Sequence, residues 1–218
     1  MTIQDVPDLA AAEARPADGV LLEFLAPGIV HALGNHLFAI QGCAHVLRDG
    51  TVARRERTTI LEAATQAEHA LDVLRLLAAD PLTGPRSEQP GVLLARLAPL
   101  CRVPLRDRGL QLVLDHSSSR RPRVVEARSF TRAVVDLLLR ISGALPAFVE
   151  GSVFLDLADQ VDGSILLEIA IEFAPSCLPF PMDKARLAAA FSRAHDALGI
   201  VAELDADGGL RIRIPTVR

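Results

Sequence analysis

The chain contains no tryptophan and no tyrosine, and only eight phenylalanines. Recognition of single-stranded nucleic acid draws on exposed rings that stack on bases, so this class of function is disfavoured. Positive charge is also short: 23 Lys and Arg face 27 Asp and Glu, for a formal net charge of −4. That balance offers no general electrostatic grip on DNA or on anionic lipid, and neither nucleic acid nor a membrane is expected as a partner. The three cysteines, Cys43, Cys101 and Cys177, lie far apart without paired spacing. They suit small buried hydrophobes in a reducing compartment better than a disulfide framework or a zinc site. No uninterrupted apolar run is long enough to cross a bilayer, and the N-terminus lacks the basic start and apolar core of a secretory signal. A cytoplasmic location is the expectation. His45, His69, His116 and His195 show no mutual spacing that suggests a metal site and read as structural or exposed.

What is present is an ordinary globular composition, half hydrophobic and 23% charged over 218 residues, enough for one large or two small domains. Residues 1–18 read as a flexible tail. Residues 19–80 read as a helical hairpin. Leu21 to Leu25 begins an apolar pattern, and Pro27 either opens the main helix or kinks it. Ile29, Leu33, Leu37, Ile40, Ala44 and Leu47 continue at helical spacing to about Arg48. Asp49-Gly50 signals a turn and Thr51 can cap the next helix. That second helix, about Val52 to Ala79, carries Ile60, Ala64, Ala67, Leu71, Leu74 and Ala78 at alternating fours and threes, with Leu61, Val73 and Leu77 widening the seam. A hairpin alone cannot bury two such stripes. Pairing with a second copy into a four-helix bundle covers them; a C-terminal domain lying over them in a monomer is the alternative.

Residues 81–90 have the Pro-rich composition of a linker. Beyond it, residues 91–218 interleave helices and strands. Val92 to Leu100 reads as a short helix, Leu110 to Leu114 as a strand and Ser117 to Pro122 as a loop. Ser129 to Leu145 reads as a helix with Phe130, Ala133, Val134, Leu137, Leu138 and Ile141 on its apolar face. Val153–Leu157 and Ile165–Ile171 form a hairpin around Gln160 to Gly163. Asp183 to Leu198 is a helix, and Ile200–Leu204 and Leu210–Ile214 form a last hairpin. The fold class is α+β, a long helical hairpin followed by a sandwich with helices on one sheet face.

The first helix carries the chemistry. In Ala26-Pro27-Gly28-Ile29-Val30-His31-Ala32-Leu33-Gly34-Asn35-His36-Leu37, His31 and Asn35 are four apart and lie one above the other, and Phe38 extends the strip. An imidazole and a carboxamide thus share the flank of the apolar stripe. Asn35 can orient the imidazole or a water, or be a plain surface residue; Phe38 can dock a partner or pack in the bundle. His36, seven residues from both Ile29 and Cys43, is expected to point into the bundle. The segment resembles the phospho-accepting helix of two-component histidine kinases, roughly A-x-G-I-x-H-E-x-x-N-P-L. Gly28, Ile29, His31, Asn35 and Leu37 fit. Ala32 stands in place of the acidic residue and His36 in place of the frequent proline.

The order of elements in the second half resembles the ATP-binding domain of the same family, which extends the resemblance from Ala26 to Arg218. Its nucleotide motifs are missing. Where the family's N-L-x-x-N-A places a Mg²⁺-binding Asn, this chain has Asp136-Leu137-Leu138-Leu139-Arg140-Ile141, and a cation cannot ligate a cation. Glu172-Phe173-Ala174-Pro175-Ser176-Cys177 aligns with D-x-G-x-G but has neither glycine. The glycine-rich lid has no counterpart between Pro175 and Leu198. The resemblance therefore implies a degenerate ATPase-like domain and a homodimer built through the hairpin.

Three functions follow. A histidine phosphotransferase would relay a phosphoryl group between response-regulator receiver domains through His31, with Asn35 in support. Its receiver would dock on Ala32, Asn35 and Phe38 and supply its own Mg²⁺, so the chain itself needs no cofactor and no metal. A non-catalytic pseudokinase adaptor would bind a receiver or a kinase without transfer. A divergent active kinase would need nucleotide, which Arg140 and the absent glycines oppose.

Overall fold

The computed structural model describes residues 17–47, 54–78, 85–115, 123–146, 149–160, 162, 164–174, 182–204, 206 and 209–217. Residues 1–16 of the expected tail, the Asp49-Gly50 turn, Thr51, the Ser117–Pro122 loop, His116, Cys177 and residues 175–181 of the lid stretch lie outside these residues.

Two long helices, α1 (Asp18–Leu47) and α2 (Arg54–Leu77), pack against each other. Pro27 lies inside α1, nine residues past its start. Strand β1 (Ser87–Glu88) falls in the stretch read as a linker and pairs antiparallel with β3 (Val125–Glu126). Between them run α3 (Pro90–Arg106) and β2 (Leu110–Asp115). Helix α3 exceeds the short helix expected over Val92–Leu100: it continues through Pro99 and Pro104 because Cys101, Pro104 and Leu105 on its buried side hold it to the core. Gly109, at φ 81°, turns the chain into β2, and a Cβ there would collide with the Val149 carbonyl.

Helix α4 (Ala127–Ala144) starts where the Glu126 carboxylate accepts from the Arg128 and Ser129 amides at 3.1 and 2.6 Å. It is buried on nearly every side, between the sheet, α3, α5 and the hairpin. The remaining elements are β4 (Gly151–Asp159), β5 (Ile165–Phe173), α5 (Lys184–His195) with a 3₁₀ turn over Asp196–Leu198, β6 (Val201–Leu204) and β7 (Leu210–Ile214). The sheet order is β2-β4-β5-β7-β6, with β2 and β4 parallel and the other pairs antiparallel. Strand alternation sets the register: Leu155 faces Ile169, Leu157 faces Leu167, and Ile212 pairs with Leu167 from the other side, all buried. The α+β architecture, a helical hairpin followed by a mixed-sheet domain, is as expected.

The hairpin and the sheet domain share one core. Leu21, Leu25 and Ile29 of α1 and Ala70, Val73, Leu76 and Leu77 of α2 belong to the same buried cluster as α3, α4 and the sheet. Ion pairs fasten the seam. Arg86 grips Asp72 of α2 through both carboxylate oxygens, at 2.9 and 2.7 Å, and Arg96 of α3 reaches Asp72 at 3.3 Å and Glu88 at 2.8 Å. The Arg86 guanidinium bonded to it holds the Asp72 carboxyl below the usual carboxylate range. Arg132 of α4 pairs with Asp18 at the start of α1. The domain therefore covers one half of the hairpin and leaves the other bare. Leu37, Phe38 and Val46 of α1 and Leu61 and Leu71 of α2 are all exposed.

One expectation is corrected. Averaged over a helix rather than counted as an unbroken run, Asp18–Val46 is long and apolar enough to cross a membrane by length and composition. It is one weak candidate, and Leu21, Leu25 and Ile29 on it are core residues.

Candidate functional site

His31 lies in mid-α1 and is exposed, as is Asn35 one turn on. The Asn35 Nδ2 lies 3.1 Å from His31 Nε2. An amide nitrogen only donates, so Nε2 accepts and the ring proton sits on Nδ1. In this arrangement Asn35 engages the Nε2 lone pair on the exposed flank of α1. Phe38, on the same flank, is 79% exposed. Ala32 is half-buried and packs against the core, so it adds little open surface beside the histidine. His36 is half-buried and His45 exposed.

The level of His31 is set by Gly28, one turn earlier. Its Cα faces the α3 backbone so closely that a Cβ would stand 2.7 Å from Leu100 C and 3.0 Å from Leu100 Cα, with the carbonyl oxygen nearer still. Only glycine permits that approach. Just beyond it, His31 opens onto a cleft of about 1050 Å³. Arg102 and Arg106 of α3 line the cleft, with Gly109 to Leu112 at the start of β2. Glu150 and Glu172, beside the start of β4 and near the end of β5, line it too. Among the described residues, neither Arg102 nor Arg106 has an ion-pair partner.

The Arg140 guanidinium of α4 is almost fully buried. Its Nε donates to Asp136 Oδ1 at 2.8 Å, and Asp136 Oδ2 lies 2.6 Å from His195 Nε2. His195 is 1% exposed and stacks on Phe191 with ring centroids 4.4 Å apart. Both Asp136 oxygens are engaged, so this carboxylate presents no free oxygen to a cation. Among the described residues, no group of three His, Cys, Asp or Glu side chains could hold a metal ion.

Sequence reasoning singled out His31 and Asn35, which the fold brings into contact. It left His195 as structural or exposed, and the structure buries it on Asp136. No local pattern reports a partner 59 residues away. Arg102 and Arg106 were not noted; their spacing of four on an amphipathic helix is the signal that was available.

No protein-family model and no curated protein matches the chain. Several solved structures align with it. The histidine kinase AdeS of Acinetobacter baumannii aligns over 86% of this chain and 98% of its own, at 15% identity and a TM-score of 0.43. A bacterial phosphotransferase aligns over 88% of this chain and 94% of its own, at 15% identity and a TM-score of 0.37. The catalytic domain of the histidine kinase ThkA aligns over 61% of this chain and 96% of its own, at 12% identity and a TM-score of 0.43. Alignments this loose carry no residue roles across, so the chemistry of the site has to come from its own side chains.

Proposed function

We propose that the protein is a histidine phosphotransferase of two-component signalling, passing a phosphoryl group between receiver domains through His31. The observation that carries this is the exposed His31–Asn35 pair, in which Asn35 holds the imidazole by Nε2 until a receiver displaces it. A neutral, exposed imidazole nitrogen is a competent nucleophile. In the transfer, Asn35 swings off Nε2, which attacks the phosphorus of an aspartyl phosphate on the receiver. The Nε2–P bond forms as the acyl P–O bond breaks, and its electron pair stays on the departing carboxylate. The imidazole, still protonated at Nδ1, then sheds that proton to water. The receiver brings its own acidic pocket and Mg²⁺, so this chain has only to hold the nucleophile in line. Ala32 offers no carboxylate for self-phosphorylation, and the engaged Asp136 and Arg140 speak against nucleotide in the second domain.

A homodimer belongs to the same proposal. Leu37 of α1 and Leu61 of α2 are 56% and 68% exposed on the part of the hairpin that the second domain leaves bare, and Leu71, beside the fastened Asp72, is still 42% exposed. A second copy closing a four-helix bundle would bury them and leave the His31 flank outside.

The test is incubation with phosphorylated receiver domains, following label onto the wild type and His31→Ala. The wild type should take up label and the variant none, with unchanged circular dichroism. Label on His31→Ala would refute the assignment. Stable receiver binding with no label on the wild type would favour the adaptor function instead.

A further inference from the structure

We propose that Arg102 and Arg106 hold the phosphoryl group carried by His31, making the second domain the cationic half of the transfer site. This rests on the phosphoryl-carrier role of His31. Three features point to it. First, the histidine and both arginines line one cleft, and the Gly28–Leu100 backbone contact fixes α1 against α3 at that level. Second, the two guanidiniums are exposed, four residues apart on one helix, with no ion-pair partner among the described residues. Like charges at that spacing repel. The helix dipole favours a cation in the last turn, which accounts for Arg106 but not for Arg102. An anion between them relieves the repulsion. Third, Arg86, Arg96, Arg132 and Arg140 of the second domain sit in ion pairs and are not available to a ligand. Arg102 and Arg106 are in no such pair among the described residues, and they line the same cleft as His31.

The ligand chemistry follows from the donors. A guanidinium is always charged and presents paired N–H groups that match two oxygens of a phosphoryl group. Glu150 and Glu172 also line the cleft. Their carboxylates disfavour a phosphoryl group near the strand ends and leave the α3 wall as its place. Phosphohistidine formed at Nε2 would then be neutralised by α3 in the same chain.

The test needs no protein partner. Phosphoramidate, a small phosphoryl donor, is incubated with the full chain. Nε2 attacks phosphorus, the P–N bond breaks, and ammonia leaves with the electron pair and takes up the proton shed from Nδ1. Labelling at His31 is followed by intact mass and peptide mapping, and the phosphohistidine by ³¹P NMR. The wild type should label at His31, more slowly as ionic strength rises, and inorganic phosphate should compete. Arg102→Gln/Arg106→Gln should label at least about tenfold more slowly, with little salt dependence and no competition by phosphate. Arg102→Lys/Arg106→Lys should recover part of the rate. Both arginines are exposed, so an unchanged thermal melt is expected for each variant. If the wild type labels at His31 and the Gln variant matches it in rate and salt dependence, the arginine role is refuted and the carrier role stands. If the wild type does not label at His31, both fall.

Discussion

Substituting Gly28 by alanine sets two effects of opposite sign against each other. Inside a helix, Gly→Ala stabilises by up to about 1 kcal/mol, because glycine has more backbone freedom to lose. At Gly28 the new Cβ would meet Leu100 C at 2.7 Å and Leu100 Cα at 3.0 Å, both backbone atoms that cannot rotate away. Ordinary contact lies beyond 3.4 Å, so α1 and α3 would have to part by on the order of 1 Å or more. Overpacking of this kind costs about 1–3 kcal/mol, and a rigid obstacle puts it at the upper end. The clash should win, for a net loss of about 2 kcal/mol. For a chain this long, that lowers the melting temperature by roughly 4–8 °C. Gly42→Ala is the internal control, since nothing lies within 4 Å of the Cβ it would add. There propensity acts alone and the melt should rise by a few degrees. Calorimetric melts of both variants at equal protomer concentration decide the matter. A Gly28→Ala protein as stable as the wild type would mean that α1 does not lie against α3 in this way, and the cleft beside His31 would lose its geometric basis.

Leu71→Glu should convert a dimer to a monomer by light scattering while keeping the helical signal. Leu71 is 42% exposed within one protomer, so the charge disturbs only a seam between copies; a monomeric wild type would sink the dimer. Mg-ATP should give no saturable heat in titration calorimetry with the wild type, and a micromolar affinity would revive the kinase function. Acid stability should depend on Asp72. Its folded-state carboxyl is held low by Arg86, so its contribution is present above the unfolded value of 3.8 and is lost as pH falls below it. Asp72→Asn should therefore be less stable than the wild type at pH 7, with the gap narrowing below about pH 4; a gap independent of pH would contradict the ion pair.

Much of the fold could be read from local patterns. The β4, β5 and β7 strands alternate because only one sheet face meets the core, as at Val153, Leu155 and Leu157. Helix α4 shows in sequence as a dense apolar face, but its Arg132, Asp136 and Arg140 are buried as well, which no local pattern announces. Arg132 meets Asp18 of α1 and Asp136 meets His195 of α5, while Arg140 pairs with Asp136 four residues earlier on α4 itself. Helix α3 runs past the Val92–Leu100 expected from sequence, because Cys101, Pro104 and Leu105 are buried against the core and carry it through Pro104. The His31–Asn35 contact was legible because both residues lie on one helix. The cleft was not, since its other wall is brought by α3, and the contact that places it involves a glycine whose neighbour is far away in sequence.

The join between hairpin and second domain bears on which function fits. A domain that delivered nucleotide to His31 would have to swing toward the histidine and away again. Here a common core runs from Leu21, Leu25 and Ile29 through α3 and α4, and Arg86, Asp72, Glu88 and Arg96 fasten the seam from outside. Releasing the domain would expose those leucines to water at about 1.5–3 kcal/mol per fully buried side chain, with the ion pairs lost besides. Such a join is ill suited to a moving donor and well suited to a fixed wall. A fixed wall is what a relay requires, because the phosphoryl group arrives from one protein and leaves for another while the histidine stays in place. On the proposed function, the second domain serves to hold α3 beside His31, a task in which the buried Asp136–Arg140 pair takes no part.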